Sequence, residues 1–429
     1  MAVTPARKAA FKVLLRVFRD CAYSSSLLEN AENELSEADA ALCHNITYGV
    51  LRNKFRLDAF LSRFSTKSLQ KIDLEVLIAL EIGLFQLAYL DRIPAYSAIN
   101  QSVELVKFAR KRSAAGFANA VLRKAEKSIS EYVEVHSVLT QPKWLVDLWV
   151  EEFGEDVATK IVTSNDEQPA SFARQTLKGV LTGFTLSIDD EISVPEFHNV
   201  KVYRYERKKL EVRKAFEQGL IYFQDLASQI VASLAIVPAE GSFLDVCAAP
   251  GGKISFVAAE NSNSGISFYA GDLHGKRCET LRKNLERQGV SASVVEYDAL
   301  AALPFDDGAF DVVLVDAPCS GTGTLRNNPE IRYSIKPQDL SELPSKQLKI
   351  LTNASNVVKP GGRLIYSTCS LQRAENEQVV FEFLERKSEF VFSPSNSFSR
   401  FRTKEGFLRT FPFRDKIDGF FAAEFIRNA

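Results

Sequence analysis

The sequence predicts an α/β fold: a mostly parallel sheet covered by helices on both faces, preceded by an all-helical domain and a small α+β module. Three observations carry this. From Ile221 onward, short apolar strands alternate with helical runs, as parallel strands joined by helical crossovers do. From Ala6 to about Lys127, apolar residues recur at helical spacing between capping signals. Between Ala170 and Phe223 the texture changes to short alternating segments, FARQTL and KVYRYE among them, separated by turn residues. The implied domains are 1–140, 141–220 and 221–429, a division for which 429 residues are ample.

Phe11, Leu14, Leu15 and Phe18 open the helical region. Ser36, followed three residues later by Asp39, resembles a capping box ahead of the next long helix. The most apolar run, LEVLIALEIGLFQLAYL, is interrupted by Glu75, Glu81 and Gln86, so it is expected to be a core helix and not a membrane span. Pro94 punctuates before a further helix, and five to seven helices in a bundle are expected. Basic residues cluster at Arg52, Lys54 and Arg56, at Lys107, Arg110, Lys111 and Arg112, and at Arg123 and Lys124. Singly these are solvated helix faces; three clusters in one small domain suit an RNA-contacting surface.

Residues 128–141 read as a connector, followed by helical pieces over 143–153 and 155–163. In the small module, KVYRYERKKLEVRK carries seven basic and two acidic side chains with two tyrosines interleaved. This suits phosphate contacts with base stacking, centred on Lys208 and Lys209, and equally an exposed charged hairpin.

In the C-terminal half, IYFQ, FLDV, ISFYAGD, SVVEYD, FDVVLVD and RLIYS read as strands with helices between them. GFLRTFPF and GFFAAEFI follow without an intervening helix and read as an antiparallel pair finishing the sheet. The half is organised around FLDVCAAPGGK, where a strand delivers a tight glycine turn, Gly251 and Gly252, to a helix start. Glycines there let backbone approach a ligand, and free N–H groups at the helix start favour a carboxylate or phosphate. Ligands bind such sheets beyond the carboxyl ends of the strands. Asp272, Asp298, Asp316 and Cys369 all stand at such ends. Single aspartates in these places are usually turn or cap residues, but a series beside the glycine turn points to a site.

Composition narrows the class. A formal net charge of -1 argues against wholesale coating of nucleic acid while permitting a local basic face. The six cysteines are scattered without a CxxC pair, and the four histidines are dispersed, so neither a metal site nor a disulfide framework is expected. The start MAVTPARKAA lacks a leader pattern. A cytoplasmic protein with reduced thiols, no membrane partner and a monomeric state is the expectation.

Asp272 lies about 20 residues beyond the glycine turn, where an acid binds ribose hydroxyls. AAPGG lacks the GxGxxG spacing, and Asp298 stands where it can accept from an adenine amino group. Together these favour S-adenosylmethionine over a nicotinamide dinucleotide.

The stretches DVCAAPGGK, DAPCSGTGTLRNNPEIR, STCSLQRAENEQVV and DGFFAA resemble the bacterial 16S ribosomal-RNA cytosine carbon-5 methyltransferases of the RsmB (Sun/Fmu) type, within the RNA 5-methylcytosine methyltransferase family. Upstream, SEADAALCHNITYGVLRNKFRLDAFL, YLDRIPAYSAINQSVELVK and GFANAVLRK are similar to that type's NusB-like helical domain. One position departs: Asn327 stands where the family pattern has a second arginine. The resemblance implies a Rossmann-like methyltransferase sheet binding S-adenosylmethionine and acting on ribosomal RNA. Cys247, Ala248, Ala249, Pro250, Gly251, Gly252 and Lys253 would hold the methionine part, Asp272 the ribose and Asp298 the adenine, with Asp316 beside the cofactor and next to the target base. Carbon 5 of cytosine is too weak a nucleophile to take a sulfonium methyl unaided, so a thiolate first adds to carbon 6. Cys319 and Cys369 compete for that part. The resemblance assigns Cys369 as nucleophile and Cys319 to release. The same chemistry on transfer RNA stays open, as does a non-catalytic RNA-binding or antitermination-type factor. An adenine amino-methyltransferase is disfavoured, because its acid-Pro-Pro-aromatic motif is replaced by Asp316, Ala317, Pro318 and Cys319.

Overall fold

The computed structural model describes residues 2–137, 139–179, 190–205, 210–262 and 265–429. The chain forms two compact units, residues 1–162 with 325–335, and residues 163–324 with 336–429.

The first unit is helical. Six α-helices fill the region expected to be a bundle, Pro5–Asp20, Ser24–Glu32, Glu37–Ser62, Leu74–Tyr89, Ala95–Phe108 and Ala115–Lys127. Ser36 caps the third, its hydroxyl accepting from the Asp39 N–H at 3.3 Å. The apolar helix Leu74–Tyr89 lies in the core, and two of its three polar interruptions are answered inside it. Buried Glu81 accepts from Lys54, and Gln86 accepts from Arg7 Nε at 2.7 Å. Lys54 is therefore turned inward, away from the basic surface expected of its cluster, because a buried carboxylate needs a cation beside it. No helix among the described residues is long and apolar enough to cross a membrane.

The second unit holds two sheets. Strands β1 (Phe172–Gln175), β2 (Asp190–Ile192), β3 (Val202–Arg204) and β4 (Ile221–Phe223) form a small antiparallel sheet ordered β2-β3-β1-β4. The stretch KVYRYERKKLEVRK becomes strand β3 and, from Leu210, a helix to Glu217; Lys208 and Lys209 lie outside the described residues.

The main sheet contains β5 (Ser242–Asp245), β6 (Ser267–Asp272), β7 (Ser293–Glu296), β8 (Phe310–Asp316), β9 (Val358–Thr368), β10 (Phe390–Phe392), β11 (Leu408–Arg409) and β12 (Phe421–Arg427). Its order is β7-β6-β5-β8-β9-β12-β10, with β11 paired to β12. Strands β5 to β9 are parallel, and β12 runs antiparallel to β9. Both faces are buried, as the continuous apolar strands required: Phe243, Val312 and Leu314 point into one core, Leu244, Val313 and Val315 into the other. The expected antiparallel pair exists as β11 and β12, but β12 is inserted beside β9, and the unforeseen β10 takes the edge. Three residues, FVF, are too short a run to announce a strand.

Chain order reverses between β5 and β8, which opens a crevice above their carboxyl ends. The candidate residues lie along that edge.

Candidate active site

Beyond β5 the backbone is pinned on both sides. Val246 N–H donates to Leu314 O at 2.9 Å and Ala248 N–H to Gly271 O at 2.8 Å, and Gly251 N–H closes the turn on Ala248 O at 2.7 Å. Gly251 sits at φ 106°, and a Cβ there would lie 2.8 Å from Leu281 Cδ1. Only glycine meets both demands. The helix Gly252–Glu260 starts at once, leaving first-turn N–H groups for an anionic ligand.

Asp272 ends β6 and is buried. Its Oδ2 accepts from Ala249 N–H and pairs with Arg277 Nη2, each at 3.3 Å, while Oδ1 is buried with no hydrogen-bond partner. A buried carboxylate oxygen left bare is costly, and a ribose diol is a ligand that would satisfy it. Asp298, two residues beyond β7, is exposed, and its Oδ1 accepts from Leu300 N–H at 2.9 Å. One of its oxygens therefore serves the local turn. Burial and the charge of Asp245 push the Cys247 thiol up, so it stays protonated.

On the other side of β5, Asp316 pairs in register with Ser367 across β8 and β9. Ser367 Oγ donates to Asp316 Oδ1 at 2.7 Å, and Lys253 Nζ donates to Oδ2 at 2.6 Å. Burial works against the charge of Lys253, but Asp316 outweighs it and holds the ammonium above its ordinary value. Lys253, expected beside the methionine part, directs its ammonium to Asp316, above the Phe420 ring at 5.2 Å. Three residues beyond Asp316 comes Cys319; two beyond Ser367 comes Cys369. Their sulfurs are 3.3 Å apart, and Cys369 N–H points at Cys319 Sγ, also at 3.3 Å. The hydrogen bond to Cys369, then burial, raise the Cys319 thiol well above its usual value. Either sulfur can donate to the other. Lys253 also interacts electrostatically with the Cys369 sulfur.

The loops bearing the two cysteines are stapled together. Fully buried Glu375 accepts from Ser320 N–H at 2.8 Å and from Gln347 Nε2 at 2.9 Å, while Ser370 Oγ bonds the same carboxylate. Gly323 N–H donates to Cys369 O at 2.9 Å, and Gly419 N–H to Gly323 O at 2.8 Å. The motifs containing Glu375 and Gly419 are legible in sequence, but their stapling role is not. Ser367 and Asp245 were missed as well. A strand-end serine carries no signal of its own, and Asp245 reads as an ordinary end of a strand.

Residues 232–426 match the family model described as 16S rRNA methyltransferase RsmB/F, and residues 4–127 match the NusB family. The probable ribosomal RNA small subunit methyltransferase B of Bacillus subtilis (strain 168) is 31% identical over 447 residues, covering 98% of each chain. Among solved structures, PH0851 aligns with a TM-score of 0.83 at 21% identity over 99% of both chains. NSun6 from Pyrococcus horikoshii, solved with SFG, aligns with a TM-score of 0.57 at 20% identity over 67% of this chain and 98% of its own. The cofactor is S-adenosylmethionine, which the tight turn at Gly251 and the bare oxygen of Asp272 fit, and which supplies an electrophilic methyl group when bound. From a near full-length relative and two matched segments it follows that this chain belongs to the RsmB/F family of S-adenosylmethionine-dependent RNA methyltransferases.

Proposed function

We propose that the protein methylates carbon 5 of a cytosine in 16S ribosomal RNA through a covalent adduct between Cys369 and the base. The observation that carries this reading is the sulfur pair. Two thiols 3.3 Å apart, on loops following adjacent strands and beside a carboxylate held by a lysine, have no structural need for each other among reduced cysteines. They suit a reaction in which one sulfur bonds to the base and the other manages its departure. The small-subunit RNA named for the Bacillus subtilis relative supports the substrate.

In this mechanism Cys369 is the nucleophile. The Cys319 sulfur lies 3.3 Å from it, and the Lys253 ammonium acts on it electrostatically. The sulfur adds to carbon 6, which makes carbon 5 enamine-like and able to take the methyl group. Asp316, with Lys253 on one oxygen and Ser367 on the other, would serve ring nitrogen 3 as a carboxylic acid, taking a proton from Lys253 and giving a hydrogen bond or that proton to the ring, which favours the addition. The turn Cys247 to Lys253 and the carboxylates of Asp272 and Asp298 hold the cofactor. A base then takes the carbon 5 proton, the double bond re-forms as the carbon 6–sulfur bond breaks with its electron pair leaving on Cys369, and Cys319 assists that release. Because a stacked base is out of reach, the cytosine is presented unpaired or flipped.

The test is substitution, with radiolabelled cofactor and denaturing gels. Cys319→Ala should accumulate a covalent protein–RNA species, whereas Cys369→Ala should form none and lose turnover. The reverse pattern exchanges the two roles, and no adduct in either variant refutes the covalent mechanism. Bisulfite sequencing of ribosomal and transfer RNA from cells with and without the gene identifies the substrate; a signal confined to transfer RNA would overturn the ribosomal assignment.

A further inference from the structure

Arg174 lies in β1 of the small sheet and is completely buried. It belongs to neither matched family segment, since one ends at residue 127 and the other begins at 232. Its guanidinium nevertheless reaches the cofactor turn. Nη2 donates to Gly252 O at 3.0 Å, to Ser255 Oγ at 2.6 Å and to Gln288 Oε1 at 3.3 Å; Nε donates to Gln224 Oε1 at 2.7 Å, and Nη1 to Gln175 O at 3.2 Å. Ser255 passes the contact on, its hydroxyl donating to Gly251 O at 2.5 Å. The rings of Tyr222 and Phe256 pack 5.1 and 5.7 Å from the guanidinium carbon.

Burying this cation has a desolvation cost that its hydrogen bonds offset in part. A cation removed from water without a carboxylate partner is destabilising, and burial lowers Arg174 to about 9, still charged at neutral pH. Its hydrogen bonds to the turn end on the carbonyls of Gly251, through Ser255, and of Gly252. Those are the residues whose backbone sets the start of the helix. With the carbonyls held on the Arg174 side, the N–H groups of the same peptides are fixed on the other. A single planar donor with five N–H groups can do this, and a shorter or neutral side chain cannot.

We propose that Arg174 is the positioning residue of the S-adenosylmethionine turn, so that the small sheet forms part of the cofactor site. The guanidinium touches neither cofactor nor base. It holds Gly251 and Gly252 in the one backbone arrangement that binds the methionine end. This rests on the cofactor reading and is independent of the cytosine chemistry.

The experiment measures S-adenosylmethionine affinity calorimetrically on the full chain without RNA, beside thermal unfolding. The comparison is among wild type, Arg174→Lys, Arg174→Gln and Val202→Ala, a buried change opposite Arg174 in the same sheet that removes none of the turn's hydrogen bonds. Loss of the charge-assisted hydrogen bonds to Gly252 O and Ser255 Oγ should raise the Kd of Arg174→Gln by about tenfold or more. Arg174→Lys, which keeps the charge and part of the donor set, should recover a fraction of that loss. Val202→Ala should bind as wild type does despite a comparable drop in melting temperature. In turnover assays the Arg174→Lys defect should appear in KM for the cofactor and largely vanish from kcat at saturation. If Arg174→Gln does not fold, the lysine variant decides. Wild-type affinity in the folded arginine variants, or equal weakening in Val202→Ala, overturns the proposal. Failure of the wild type itself to bind S-adenosylmethionine refutes the cofactor reading instead.

Discussion

Asp245 closes β5 with Oδ1 buried and without a hydrogen-bond partner. Burial first, and the charge of Asp316 second, push its carboxyl up to about 7 from an ordinary 3.8. The folded state therefore binds this proton more tightly than the unfolded chain does. Stability from the group is complete below its unfolded value and is lost as pH rises through about 7. In the cofactor-free protein the denaturation midpoint should fall across this interval, with a slope from this one group of at most about 1.4 kcal/mol per pH unit. Asp245→Asn should flatten the profile and match or exceed wild-type stability above neutrality, as followed by urea denaturation at several pH values. An unchanged slope in the variant would show that another group carries the proton. Strand-end position in the sequence finds Asp272, Asp316 and Cys369 but ranks Asp245 no differently from a turn residue. Desolvation and the distance to Asp316 exist only after β5 and β8 have paired.

At the scale of elements, the order of strands and helices after Ser242 was legible because both faces of the sheet are buried, leaving short apolar runs that polar helices separate; IYFQ, expected to begin that series, instead closes the small sheet as β4, paired antiparallel with β1. Two features were not legible. The edge strand β10 is too brief, and the insertion of β12 beside β9 depends on antiparallel pairing that no local pattern records. The 393–404 loop, silent in sequence, is fixed by Arg402, which pairs with Glu424 at 2.6 Å and donates to Ser395 Oγ at 2.9 Å. The cysteine loops are held by close backbone approach. A Cβ on Gly323 would come within 2.0 Å of Gly419 O and 2.9 Å of Cys369 O. Neither atom is the end of a flexible side chain, so Gly323→Ala must push the loops apart, at a cost of about 1–3 kcal/mol typical of overpacking. Methyl transfer should fall by about tenfold or more, since misplacement of reacting groups by a fraction of an ångström is enough. Affinity for S-adenosylmethionine should stay within a factor of about two, because the glycine turn belongs to another strand end. Full activity in this variant would mean that the separation of the sulfurs does not limit the reaction.

At the scale of the whole molecule, the chain is less segregated than its sequence suggests. Residues 325–335, which follow the DAPCSGTGT motif, fold with the helical unit. Glu330 accepts from Ser24 N–H at 2.8 Å and from Ser24 Oγ at 2.9 Å. Arg332 Nη1 donates to Arg52 O at 3.2 Å and to Thr140 O at 3.3 Å, and Tyr333 packs between Phe18 and Phe55 at 5.7 and 5.1 Å. In the sequence RNNPEIRYS reads as part of the catalytic motif, and nothing in its periodicity gives its packing partners about 300 residues upstream. The chain connection makes the coupling testable. Truncating Glu330 to Ala leaves buried donors on Ser24 unanswered, a loss of about 1–3 kcal/mol, and Tyr333→Ala removes a partly buried aromatic side chain packed against the bundle core, a loss of about 3 kcal/mol. Both losses belong to the helical unit. In the full chain, amide hydrogen exchange should therefore accelerate in the helices Pro5–Asp20 and Glu37–Ser62, while amides of β5, β6 and β8 keep wild-type protection and cofactor affinity is unchanged. Equal acceleration in both units would mean that the two unfold as one cooperative body. No acceleration in the bundle would mean that residues 325–335 are a passenger there and contribute nothing to its stability.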